Sequence, residues 1–306
     1  MPGDTQQRRN WMLAIAAIAV LAIVLRIRAF APFDIMHADE LMQYLEQGNR
    51  LASGQGIVPW ENRYGIRNGL IAQFLSLPLW LGHTLAPDTL TAMLAARWSF
   101  IASCLIVLPG AWLLGALSSR WHALAALFVA ATWGESVVFS TLLLSESLAT
   151  ALILLGAALL LREPPERRVL WAAGLLLGLG VLVRLQYAVF VVVLVLAVLQ
   201  LDWRRWGQLI AGGLIAAMIG ALSDIAAGQI PFAWIVNNFT MNIDAGRAAR
   251  FGSSGPFEYI RLLLVHLGPA AVLILGGAVL AGKRYHPLIL AAAANLLIHS
   301  LILHKE

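Results

Sequence analysis

Val189-Phe190-Val191-Val192-Val193-Leu194-Val195-Leu196-Ala197-Val198-Leu199-Gln200-Leu201 carries a single polar side chain, Gln200. Leu142–Leu161 is another continuous run, rich in Leu and Ala. Such runs cross a bilayer as helices, because hydrocarbon offers no partner to an unpaired peptide group. A barrel would alternate polar and apolar side chains, and no such alternation is present. The whole chain agrees. Of 306 residues, 60% are hydrophobic and 12% charged, where soluble domains carry about 25% charged residues. The expected fold class is an all-α polytopic membrane protein, one domain over 1–306.

The net charge of +5 is not a nucleic-acid signal, because the arginines sit in short inter-helix loops, where they orient a membrane protein. The one cysteine, Cys104, lies in an apolar span and reads as a core residue. No Cys/His spacing suits a metal. Arg8-Arg9 ahead of Trp11–Leu25 resembles the start of a signal peptide. Pro32 and the arginines at 26 and 28 spoil the cleavage region, so the first helix is expected to remain, with its N-terminus in the cytoplasm.

Expected spans are 11–30, 70–86, 91–117, 121–133, 136–161, 169–184, 186–201, 208–226, 259–281 and 285–303. Arg162–Arg168, Arg204-Arg205 and Lys283-Arg284 mark the cytoplasmic side, which puts the long loops 31–69 and 227–258 outside. Loop 31–69 and Arg162–Arg168 then need an odd number of crossings between them. The four candidates are too many by one. The short 121–133 and the Pro78- and Gly82-interrupted 70–86 are the two that suit a non-crossing segment. A re-entrant segment there implies a cavity.

Charge gathers in the first outer loop: Phe33-Asp34-Ile35-Met36-His37-Ala38-Asp39-Glu40, then Pro59-Trp60-Glu61-Asn62-Arg63-Tyr64-Gly65-Ile66-Arg67. Residues 40–53 read as a surface helix. Leu41, Tyr44, Leu45, Gly48, Leu51 and Ala52 share one face; Glu40, Gln43, Glu46, Gln47 and Arg50 share the other, and Gly54-Gln55-Gly56 ends it. The helix dipole favours carboxylates at this N-terminus, a bland reading of Asp39 and Glu40. The functional reading is a general base that accepts the proton of an attacking hydroxyl. Arg63 and Arg67 suit phosphate. Trp60 beside Glu61 suits stacking against a sugar, or plain interfacial anchoring. Arg184 and Glu146 are charges among apolar residues; Arg184 can instead snorkel to the interface. Asp224 ends a span near the same face, and Asn237, Asn238, Asn242 and Asp244 enrich loop 227–258 in hydrogen-bonding groups. His299, His304 and Lys305 close the chain on that side. Cations to hold a phosphate, a carboxylate to activate an acceptor and a membrane to hold a lipid fit transfer from a lipid-phosphate carrier. They also fit a transporter gate.

His37-Ala38-Asp39-Glu40 followed by Gln43-Tyr44-Leu45-Glu46 resembles the HPDE-x-x-Q-x-x-E signature of glycosyltransferase family 22, the membrane mannosyltransferases that extend lipid-linked glycans. Trp60-Glu61 with Ile66-Arg67-Asn68 resembles its TWE…RS stretch, and Ser145-Glu146-Ser147-Leu148-Ala149 its SE helix. Asp224 with Gly228, then Phe251-Gly252 and Tyr259, resembles its D-x-x-x-G loop. His299 with His304-Lys305-Glu306 resembles its H-S-x-x-x-HKE motif. The resemblance implies a GT-C fold with about nine to ten transmembrane helices. It implies inverting transfer of a sugar, mannose by type, from a polyprenyl-phosphate carrier to a glycan or glycolipid, with no metal or other cofactor. Asp39 would be the base and Glu40 its support. Arg184, His304 and Lys305 would contact the donor phosphate. Ala38 stands where the family has Pro, Asn68 where it has Ser, and Arg184-Leu185-Gln186 where it has Arg-Pro-Thr. Relatives continue beyond the position of Glu306, so a compact variant or a fragment is expected. Ala, Leu and Arg usage favours a bacterial inner-membrane protein with its site facing the periplasm. The readings from other classes are a flippase or transporter of lipid-linked glycans and a non-catalytic remnant. A transporter would spread polar residues through the membrane depth and often carries internal repeats; here they gather at one face.

Overall fold

The computed structural model describes residues 2–163, 166–241 and 254–301. Among them there are helices and turns but no strands. In chain order they are α1 (Pro2–Ala29), a π-helical segment (Glu40–Leu45) running into α2 (Glu46–Ser53), α3 (Trp60–Arg63), α4 (Leu70–Leu85), α5 (Thr91–Cys104), α6 (Val107–Ala116), α7 (Arg120–Thr132), α8 (Gly134–Thr141) and α9 (Ser145–Leu160). Then come α10 (Arg167–Val183), α11 (Ala188–Leu199), α12 (Trp203–Ala226), α13 (Ala233–Phe239), α14 (Glu258–Leu267), α15 (Ala270–Leu280) and α16 (His286–Leu301).

Among the described residues, three stretches are long and apolar enough to cross a membrane unbroken: Thr5–Ala29, Thr91–Ala116 and Trp203–Ala226. α7 with α8 bends by 52° and α14 with α15 by 110°. Expected span 136–161 is therefore divided. Its first part, α8, continues α7, and the chain restarts at Ser145 after the extended Leu142 and Leu144. Expected span 259–281 folds back at Gly268-Pro269, a helix-breaking pair. Large apolar side chains line the outside of α1, α12 and α15, including Val20, Leu214, Leu222 and Val279. An apolar exterior of this kind faces lipid.

The two ends of the bundle are distinguished by contacts. At one end Arg284 donates to Leu117 O, Tyr285 meets Ser118 and Leu114 O, and Arg284 lies 3.8 Å from Glu163. Glu163, in the first of the basic turns, and Lys283-Arg284 thus share an end as the charge rule expects. At the other end Glu40 meets Leu143, Asn68 meets Leu182 O and Gln73 meets Ser223 O.

Helix α4 resolves the parity problem. Its first turn lies against Leu182 and Ser223. Its last turn packs on the start of α5, where a Cβ on Gly82 would sit 2.3 Å from Ala92 Cα, and His83 meets Asn49. Both of its ends are at the Glu40 end, so α4 does not cross. α5–α6, α7–α8 and α9 supply the odd set of crossings.

The surface helix differs from expectation in its orientation. Tyr44, Leu45 and Gly48 are buried as the pattern required, but so are Glu40, Gln43 and Gln47, while Leu41 and Leu51 are exposed. Two causes act together. The first residues are π-helical, which changes the angular step per residue. Each inward amide also has acceptors for its NH2 group, although Gln43 Oε1 and Gln47 Oε1 accept no bond among the described residues: Gln43 Nε2 donates to Glu61 Oε1, and Gln47 Nε2 to Met42 O and Ile57 O. Buried polar groups are tolerated on that condition. Gly54, at φ 75°, ends α2 in the left-handed conformation that glycine adopts without strain.

Helices α9, α10 and α12 pack closely, and a shared core of Ile153, Ala157, Leu177, Leu194 and Leu209 joins α11 to them. α10 and α12 meet backbone to backbone: a Cβ on Gly212 would lie 2.0 Å from Trp171 O. Small residues drive such close helix packing in lipid. Its neighbour Gly213 has open space around it. Gly212→Ala is expected to destabilise the protein by about 1–3 kcal/mol through overpacking. Gly213→Ala should be neutral or slightly stabilising. Thermal unfolding in detergent compares the two, and equal midpoints would contradict the packing described.

Candidate active site

The residues beside Asp39 fix its backbone. Glu40, 1% exposed, reaches back with Oε1 to accept from the amides of Met36 (3.1 Å) and His37 (3.0 Å). Its Oε2 accepts from Leu143 N at 3.1 Å and lies 3.8 Å from Arg97 Nη2. All of these contacts are within the protein, so Glu40 is an anchor of the loop. Asp39 remains partly open, with His37 Nδ1 3.8 Å from its carboxylate and accepting from its amide.

Downstream on the same helix, Gln43 and Tyr44 line a cavity of about 40 Å³ together with Arg67, Asn68, Arg184, Trp234 and Asn238. A volume of that size holds a water or two, so it is the floor of a cleft and not a space for a whole sugar. Ile71 and Ala72 of the non-crossing α4 complete the floor.

The two arginines of the cavity are in different electrostatic states. Arg184, 8% exposed, is paired with Glu146 at 2.7 Å and donates to Ser145 Oγ. Arg67 has no carboxylate within ion-pairing distance among the described residues, and its Nε makes no hydrogen bond. Burial raises the Tyr44 phenol pKa, with Arg67 and the nearby Ser145 pulling it back. Tyr44 therefore presents a neutral O–H between the two arginines. Thr150 and Tyr187 extend the polar chain along α9 through a short hydroxyl contact.

The wall opposite is built from α13. Asn237 donates to the carbonyls of Tyr64 and Gly65, and Asn238 to Ile66 O at 3.4 Å. These bonds hold the turn that presents Arg67, and Gly65 takes φ 58° there. α13 is itself set by Asp224, which is fully buried; its Oδ2 accepts from Phe232 N at 2.7 Å, with Trp234 beside it. Phe232 has φ 61°, a strained conformation for a residue with a side chain.

A sequence profile of the Alg9-like mannosyltransferase family matches residues 16–306. The chain belongs to that family. No curated protein and no solved structure matches it. As an Alg9-like mannosyltransferase it is a glycosyltransferase and an integral, multi-pass membrane protein.

Of the residues singled out in the sequence, Arg67, Arg184 and Asn238 line the cavity, and Glu146 enters through Arg184. Glu61 is buried under it as acceptor for Gln43, and Trp60 packs edge-on to Tyr64 beside it. Arg63 turns away to Val58 O, His37 is exposed beside Asp39, and Asp224 is enclosed beneath the wall. His299 bonds to Asn295 O on its own helix and is not in the lining. His304 and Lys305 lie outside the described residues, as do Asn242, Asp244, Phe251 and Gly252. Sequence reasoning passed over Trp234 and Arg97, and named Tyr44 and Asn68 only within motifs, without a role in the site. Arg97 carried a signal, a charge inside the apolar span 91–117, which the same rule had picked out at Arg184.

Asp224 is placed to brace the wall. Asp224→Ala should cost about 1–3 kcal/mol by leaving the strained Phe232 amide unsatisfied, and should expose 227–240 of this mannosyltransferase to limited proteolysis. Asp224→Asn, which keeps an acceptor oxygen, should lose less. A stable, protease-resistant alanine variant would contradict the bracing role.

Proposed function

We propose that the enzyme moves a mannosyl residue from a polyprenyl-phosphate carrier to a hydroxyl of a glycan or glycolipid acceptor, at the end of the bundle that carries Asp39. Charge placement favours the external face for that end, the periplasm of a bacterial inner membrane.

The observation that carries the reading is the unneutralised Arg67 in a cavity beside Arg184, one helical segment on from Asp39. A polyprenyl-phosphate sugar is a phosphodiester and brings one negative charge. A nucleotide sugar brings a diphosphate and two. One open arginine beside one already paired suits the lipid monophosphate.

In the reaction Asp39 takes the proton of the acceptor hydroxyl as its oxygen attacks the anomeric carbon. The bond from that carbon to the phosphate oxygen breaks, its electron pair leaves with the phosphate, and the configuration inverts. The leaving phosphate becomes a monoester with charge approaching −2. Arg67, Arg184 and the Tyr44 O–H face that growing charge. Donors aimed at charge that develops in the transition state lower the barrier most. Glu40 holds the backbone of the base.

Asp39→Asn and Asp39→Ala should lower transfer of radiolabelled mannose from polyprenyl-phosphate-mannose in membranes by about 10²–10⁴-fold, the usual worth of a positioned base, at unchanged protein level. Near-native turnover of either variant sinks the assignment.

A further inference from the structure

We propose that Arg97 is a positioning residue for the transfer, acting with Glu40 as a two-charge clamp that sets Asp39 relative to the arginine cavity. The inference rests on the reading of Asp39 as the base.

Arg97 lies in the second turn of α5, inside an apolar span, and is 2% exposed. Its guanidinium works on backbone. Nη1 donates to Ala31 O at 3.2 Å and to Pro32 O at 2.8 Å, and Nη2 donates to Thr141 O at 3.3 Å. The Phe30 ring covers it at 4.8 Å, and Phe30 packs on Trp98. Glu40 holds the complementary groups of the same two segments: the amides of Met36 and His37 in the loop, and of Leu143 at the junction between α8 and α9. The cation collects carbonyls, the anion collects amides, and the two charges lie 3.8 Å apart.

The consequence is geometric. Asp39 sits between His37, whose amide is tied, and Glu40, whose side chain does the tying. The junction that receives the other half of the clamp runs straight into Ser145 and Glu146, and Glu146 holds Arg184 in the cavity. Base and phosphate-facing cation are thus referenced to one fixed piece of backbone. A buried ion pair is weak evidence for stability, since apolar replacements are often neutral or stabilising. Its worth here is placement: a base displaced by about 1 Å costs about 10²-fold in rate. Lysine would supply the charge without the planar fork that spans carbonyls of two segments.

The test compares Arg97→Gln, Arg97→Lys, Glu40→Gln and the double variant Arg97→Gln/Glu40→Gln with native protein and Asp39→Asn. Transfer from polyprenyl-phosphate-mannose is measured per molecule of monodisperse protein in detergent. Arg97→Gln should lower kcat by about 100-fold with donor KM within about threefold of native. Arg97→Lys should remain at least about tenfold down, and the double variant should be no slower than the slower single. Native kcat in folded Arg97→Gln, or a change confined to donor KM, overturns the proposal. If Arg97→Gln does not fold, native kcat in Arg97→Lys overturns it. If Asp39→Asn itself turns over normally, the base assignment falls and this inference with it. If Asp39→Asn is inactive while the Arg97 variants are normal, only the clamp falls.

Discussion

Wherever this chain leaves a helix near the membrane it must supply its own hydrogen-bond partners, because lipid supplies none. Four of the breaks lie at the Glu40 end of the bundle, at residues 30–37, 142–144, 184 and 227–232. Each is closed by a polar side chain from another segment: Arg97 and Glu40 at the first two, Asn68 on Leu182 O just before the third, Asp224 on Phe232 N at the last. The polar groups needed to make the breaks tolerable are also the surroundings of the site. Irregular backbone and a polar cavity are two results of one constraint.

The constraint divides the arginines by task. Arg97 is spent on carbonyls and a carboxylate, and Arg184 is held by Glu146. Arg67 stands on a short turn fixed from behind by Asn237 and Asn238, and it alone of these three lacks a carboxylate among the described residues. Cations near each other in low dielectric repel strongly unless some are paired. Pairing Arg184 with Glu146 lets Arg67, which shares its cavity, stay open.

Class, helix runs and the basic turns were legible in the sequence because each is a property of a single segment. The acid-rich loop stood out for the same reason. What was not legible depended on partners distant in the chain. Periodicity put Gln43 and Gln47 in water, and nothing near them in sequence reveals that Glu61 and the Ile57 carbonyl accept their hydrogen bonds. The π-helical start of the helix moved the faces, and composition does not encode such a start. The split at Leu142–Leu144 falls in a run as apolar as any span; the amide of Leu143 is free to leave the helix because Glu40 receives it.

The non-crossing α4 joins these points. Pro78 removes one of its own hydrogen bonds, and both of its ends lie at the Glu40 end of the bundle. Starting among Leu182 and Ser223 and ending against Ala92, it lies between the end of the bundle and the surface helix. Its first turn, with Ile71 and Ala72, closes the floor of the cleft, while Gln73 ties it to α12. Had α4 crossed, Arg67 would have been delivered to the top of a continuous span with lipid beside it, where an unpaired guanidinium is costly. Folding back instead sets the first turn of α4, with Ile71 and Ala72, against the cavity that Arg67 lines. The parity of the crossings and the chemistry of the cavity therefore follow from the same short helix.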